Sequence, residues 1–140
     1  MAKPIIAIIG SRKPTYYGRQ QTLLFTKKLA QAGCTILSGG AIGIDAIANA
    51  VGYDYGSTCA VIGSGINNLY PTSNLSLFQK MGNAENGLIL SEFNSFEPPQ
   101  KWNFPRRNIS IAALADFVLV IEAALTSGSL ITANAAAEFG

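Results

Sequence analysis

The sequence contains no histidine. That absence removes any Ser-His-Asp or Cys-His machinery and the commonest zinc ligand. Two cysteines, Cys34 and Cys59, stand alone in apolar runs with no C-x-x-C pair. They read as buried reduced thiols, and no metal site is expected. Charge is scarce: Asp, Glu, Lys and Arg make up 13% of residues and the net charge is +2. An anion site must therefore come from local clustering, not from bulk charge. No apolar run approaches the ~18 residues of a membrane span. The short run Ile5 to Ile9 reads as a strand, not a signal peptide. A cytoplasmic protein without a membrane partner is expected.

What the chain has is glycine at the ends of apolar runs. Ser38-Gly39-Gly40-Ala41-Ile42-Gly43-Ile44-Asp45 follows the apolar run from Cys34 and precedes a helix-compatible stretch, Asp45 to Val51. A strand, a glycine turn and a helix start together suit a phosphate, because N–H groups and the positive helix end converge there. The same pattern also suits a plain strand-to-helix turn, and it is neither G-x-G-x-x-G nor a Walker A loop. Asp45 reads as a complement to the helix dipole or a cap. The alternative is that it holds loop amides or an arginine in place.

Four further turns are built alike. Strand Pro4 to Ile9 leads into Gly10-Ser11-Arg12-Lys13-Pro14-Thr15, a hydroxyl and two cations that read as a phosphate clamp or a solvated basic loop. A helix from Gly18 to Ala32 follows, with Leu23, Leu24 and Leu29 at amphipathic spacing and Lys27 and Lys28 on its wet face. Strand Ser57 to Ile62 ends in Gly63-Ser64-Gly65, before Tyr70 and a helix over Ser73 to Met81. Strand Gly87 to Ser91 ends in Glu92. A long loop rich in proline and aromatics then runs from Phe93 to Pro105 into Arg106-Arg107-Asn108, at the start of a helix through Ala115. Two arginines at a helix start oppose its dipole, which makes sense where an anion sits. Strand Phe117 to Ile121 ends in Glu122, and Thr126-Ser127-Gly128-Ser129 opens a helix over Leu130 to Phe139.

Strands and helices thus alternate five times across one domain, residues 1–140, with no repeats or linkers. That order predicts an open, parallel-sheet Rossmann-like α/β fold with helices on both faces. Right-handed crossovers place all five turns at one sheet edge, where such folds bind ligands. The expected phosphate-binding residues are Ser11, Arg12, Lys13, Gly39, Gly40, Gly43, Gly63, Gly65, Arg106, Arg107, Asn108, Gly128 and Ser129. Arg12, Arg106 and Arg107 are expected around one basic pocket walled by Gly39, Gly40, Gly63 and Gly128.

These residues, in this order, resemble the DprA/Smf family of DNA-processing proteins. The matching motifs are Gly10-Ser11-Arg12 with Pro14-Thr15 and Gly18, and Ser38-Gly39-Gly40-Ala41 with Gly43-Ile44-Asp45. Gly63 and Gly65 with Tyr70-Pro71 and Asn74 follow, then Leu90-Ser91-Glu92 and Phe104-Pro105 with Arg107-Asn108. Ser127 to Ala133 with Glu138 and Gly140 complete the match. The resemblance implies a Rossmann-like domain that binds single-stranded DNA, forms a homodimer and aids loading of a RecA-type recombinase in natural transformation, competence and DNA recombination. It implies no catalytic activity and no cofactor. The sequence departs from the family at Asn49, where histidine is usual, and at Ile109, where arginine is usual. It ends where the family continues into another strand, so a fragment or a missing edge strand is expected.

The competing reading from the residues is a phosphoribohydrolase-like enzyme. It would bind a nucleoside monophosphate at the same turns, with Glu92 or Glu122 as acid/base. A third is a nucleotide sensor without chemistry. In the DNA-binding reading Arg12, Lys13, Arg106 and Arg107 take phosphates, and Tyr70 or Trp102 stacks on bases. For both glutamates, ion-pairing with arginines is the simpler role.

Overall fold

The computed structural model describes residues 2–140. Five strands form one parallel sheet: β1 (Ile5–Gly10), β2 (Thr35–Ser38), β3 (Ser57–Val61), β4 (Gly87–Leu90) and β5 (Phe117–Ile121). They alternate with α1 (Tyr16–Gln31), α2 (Ile44–Tyr55), α3 (Leu75–Gly82), α4 (Asn103–Leu114) and α5 (Gly128–Phe139). The order across the sheet is β4-β3-β2-β1-β5. The predicted strands and fold class therefore stand. No helix among the described residues is long and apolar enough to cross a membrane.

The central strands β1, β2 and β3 read as continuous apolar runs because both faces of the sheet are covered there, whereas Leu88 of edge strand β4 and Phe117 of edge strand β5 are exposed. Ile6, Ile8 and Ile36 pack with Ala30 of α1 and Ile44 and Ala48 of α2. Ala60 and Ile62 close over Phe78 and Met81 of α3 on the same side. Ala7, Ile9, Leu37, Cys59 and Val61 point the other way, onto Ile111 of α4. Burial pushes the Cys59 thiol up to about 11, which leaves it inert at neutral pH.

Two helices differ from expectation. On α1 the buried face is Gly18, Thr22, Thr26 and Ala30, whereas Leu23 and Leu24 are exposed. Small residues recur at every fourth position of this face: Gly18 lies against the Glu122 side chain, Ala30 against Gly56 after α2, and Thr22 returns its hydroxyl to the Gly18 carbonyl at 2.7 Å. On α4 the helix begins at Asn103, ahead of the arginines. Pro105 sits in its first turn, where the missing N–H has no partner to lose.

The chain runs β1 to β4 in one direction across the sheet, then returns past β1 to add β5 on the far side. Adjacent strands β1 and β5 therefore send their crossovers to opposite faces. Their C-terminal ends part at a topological switch point, and a crevice opens there.

Phe78 of α3 is fully buried against the sheet and also meets Gly40, whose φ of +66° no larger residue adopts without strain. Phe78→Ala is expected to cost about 3–5 kcal/mol in a urea titration monitored by circular dichroism.

Candidate anion site at the switch point

A cleft of about 360 Å³ lies between the ends of β1 and β5. Ser11, Arg12 and Lys13 from the β1 loop line one side, and Gly128 and Ser129 from the start of α5 line the other. Arg107 and Asn108 of α4, Asp45 of α2 and Thr132 of α5 complete it. The N–H groups of Gly128 and Ser129 open a helix, where no earlier turn supplies carbonyl partners. That end carries the positive pole of α5. The Ser127 hydroxyl beside it is buried and makes no hydrogen bond.

Asp45 and Arg107 are 7% and 4% exposed. The Gly39 N–H donates to Asp45 Oδ2 at 3.0 Å. Arg107 Nη1 donates to the Gly39 carbonyl and, at 3.0 Å, to that of Val61. Arg107 Nε donates to Asn108 Oδ1 at 2.9 Å, and Asn108 Nδ2 passes the link to the Gly128 carbonyl at 3.2 Å. Burial raises the Asp45 carboxyl above its usual value, opposed by Arg107 and by the amides of Ala41, Gly39 and Gly10. Burial likewise lowers Arg107, with Asp45 opposing and Arg12 adding to the shift.

The glycine turn from Ser38 to Asp45 does gather amides around an anion, and the anion is the chain's own Asp45. The first N–H of α2, from Ile44, is taken by the Ser11 carbonyl at 3.1 Å. Asp45 thus holds loop amides and faces an arginine, the alternative to a simple cap.

The predicted residues divide. Ser11, Arg12, Lys13, Arg107, Asn108, Gly128 and Ser129 share the main cleft. Gly39 lines a small adjoining hollow with Arg12, Tyr70 and Phe104. Gly40, Gly43, Gly63 and Gly65 serve the packing of the chain instead. A side chain on them would meet Phe78, the Ser11–Arg12 backbone, Phe104 and the Asn94–Ser95 backbone respectively. Arg106 lies outside the cleft, with Nε 2.9 Å from Glu92 Oε2. The physical reason is helical: adjacent residues are rotated by ~100°, so one of two neighbouring arginines turns inward and the other outward.

Both glutamates are committed elsewhere. Glu92 holds Arg106 and accepts from the Ser110 hydroxyl at 2.9 Å. Glu122 pairs with no arginine; it accepts from the Thr15 N–H at 2.8 Å and from the Thr15 hydroxyl. The sequence pattern does not point to Ala41 or Thr132, yet both line the cleft. Thr132 lies four residues after Gly128, one helical turn on, a spacing that places it on the same face.

The Phe104 ring lies 5.6 Å from the Arg12 guanidinium and 5.5 Å from that of Arg107. The ring of Tyr70 is 5.9 Å away, tilted.

The family model of DNA recombination-mediator protein A matches residues 1–140. Protein Smf of Synechocystis is 44% identical over 97% of this chain and 34% of its own length. The chain is similar to DNA processing protein A from Helicobacter pylori, with a TM-score of 0.90 and 38% identity over 97% of this chain and 61% of that one. That structure concerns the relative's unique single-stranded DNA binding mode. DNA processing protein A of Streptococcus pneumoniae superposes equally, with a TM-score of 0.90 and 39% identity over 97% of this chain and 47% of that one. The chain therefore spans about a third of the curated relative and less than two thirds of each structure.

Arg107→Met strands Asp45 in the interior without its cation and frees two buried carbonyls. A loss of about 3–5 kcal/mol is expected at neutral pH. Without Arg107 the Asp45 carboxyl rises further. A group raised in the folded state favours folding below its folded pKa and loses that contribution as pH rises through it. The variant's deficit should therefore shrink on acidification, as read from urea titrations at neutral and acid pH.

Proposed function

The chain belongs to the DNA recombination-mediator protein A family, and from that premise we propose that it binds single-stranded DNA at the switch-point cleft. The observation that carries the reading is the meeting of Arg12, Lys13 and the open start of α5 around one cleft. Phosphates of a single strand would lie against Arg12 and Lys13, with the Gly128 and Ser129 amides as neutral donors. Tyr70 and Trp102, both exposed, offer faces for bases. Phosphate contacts and stacking are indifferent to base identity, so binding without sequence preference follows. Arg106 contributes at the margin, tempered by its pairing with Glu92.

The proposal extends to a role in natural transformation and recombination, with a homodimer that delivers the strand to a RecA-type recombinase in the cytoplasm. These steps rest on family membership. The phosphoribohydrolase alternative gains no support from the geometry. Its two acid/base candidates are held in structural hydrogen bonds, and the carboxyl that does line the cleft, Asp45, is turned to backbone amides.

Binding of labelled oligo-dT tests the reading. With three or four phosphates neutralised, log K should fall against log salt with a slope of roughly −2 to −3, at ~0.7 per phosphate. Arg12→Ala should weaken all oligonucleotides alike and flatten the slope by about 0.7. Affinity indifferent to both salt and Arg12 would overturn the assignment. Release of free base from a nucleoside monophosphate would favour the enzyme instead.

A further inference from the structure

Glu122 ends β5 with φ of 54°, the sole non-glycine residue among those described in the left-handed region. A side chain there is held against a conformational cost, and such positions persist where surrounding contacts over-determine them. Here those contacts all come from one loop. The Glu122 carbonyl accepts the Ser11 N–H at 2.7 Å. Its carboxylate accepts the Thr15 N–H at 2.8 Å and the Thr15 hydroxyl. Thr15 Oγ1 in turn accepts the Gly18 N–H at 3.1 Å, capping α1. The main chain and side chain of one residue thus grip both ends of the loop that carries Arg12 and Lys13. Between those ends, the Lys13 N–H closes onto Ser11 Oγ at 3.0 Å, and Pro14 is buried.

We propose that Glu122 is the positioning residue of the phosphate site, setting the Ser11–Thr15 loop so that Arg12 and Lys13 meet the strand already ordered. The proposal rests on the DNA-binding reading. A carboxylate beside an anion site is unfavourable by charge alone, since it repels phosphate. Its presence is accounted for by what it holds: a free loop would have to be ordered at the moment of binding, at a cost in affinity. Gly18 supplies a second handle. A Cβ there would run into the Glu122 carboxyl, the mobile end of a flexible side chain. Gly18→Ala should therefore fold and swing the carboxyl away from Thr15.

The test is equilibrium binding of labelled oligo-dT to the full chain, at a temperature where circular dichroism shows each variant folded. Glu122→Ala and Gly18→Ala should each weaken binding about tenfold and flatten the salt slope, whereas in an Arg12→Ala background Glu122→Ala should add less than about twofold, because coupled residues do not act additively. Glu122→Gln keeps an acceptor for the Thr15 N–H and should recover most of the loss. A full tenfold effect persisting in the Arg12→Ala background would reduce Glu122 to general stability and overturn the proposal. Tighter binding by both Glu122→Ala and Glu122→Gln would show simple charge repulsion and would overturn it equally. If Arg12→Ala weakens binding and Glu122→Ala does not, the positioning role alone falls. If Arg12→Ala has no effect, the DNA-binding reading falls and takes this role with it.

Discussion

The backbone of Gly39 is held on both sides by buried ionisable side chains, its N–H by Asp45 and its carbonyl by Arg107. A Cβ on Gly39 would lie 2.5 Å from Asp45 Oδ2 and 2.9 Å from Arg107 Cζ, so the two side chains close around a residue without one. Either charge alone in this interior would be strongly destabilising. Together they join the end of β2 to α2, to α4 and, through the Val61 carbonyl, to β3. Arg107 then reaches Asn108, and Asn108 reaches the first residue of α5. The wall of the cleft is thus an extension of the interaction that fastens α4 to the sheet.

This arrangement decides which strand-end turns remain open to a ligand. Of the turns that look alike in the sequence, the central one is already full: its amides surround Asp45, and the first N–H of α2 serves Ser11. The turns after β3 and β4 are consumed by the loop over 93–102 and the start of α4, which lay the Asn94–Ser95 backbone on Gly65 and Phe104 on Gly63. What stays open flanks the switch point, namely the loop after β1 and the start of α5. A glycine turn at the end of a strand is therefore ambiguous by itself. Its amides point at an anion, and only the three-dimensional neighbours say whether that anion comes from the chain or from outside.

The strands and the shared edge were legible in the sequence for a physical reason: strands buried on both faces are continuous apolar runs, and right-handed crossovers bring their ends together. The faces of the helices were less so. The leucines at 23 and 24 suggest a buried stripe on α1, but the buried face is made of the small residues Gly18, Thr22, Thr26 and Ala30, with Gly18 against Glu122. The start of α4 was hidden by Pro105, which marks the first turn as readily as it marks a loop. With that start displaced, the opposite fates of Arg106 and Arg107 could not be read, since one residue of phase turns a helix by ~100°. The sequence singles out Glu122, but its bond to Thr15 is hidden for a different reason: the two lie 107 positions apart.

The cations of the site consequently differ in what they offer a phosphate. Arg107 commits its donors to two carbonyls and Asn108, and its charge faces Asp45. Arg12 and Lys13 are exposed and make no ion pair among the described residues. Arg12 also lies near enough to Arg107 to lower the latter's pKa, a like-charge repulsion that an arriving anion would relieve. Both guanidinium groups lie within cation–π range of the Phe104 ring. Arg107 therefore shapes the cleft and sets its background potential. In the proposed binding mode the salt-sensitive part of anion binding falls to the β1 loop, which hydrogen-bonds at Ser11 and Thr15 to Glu122.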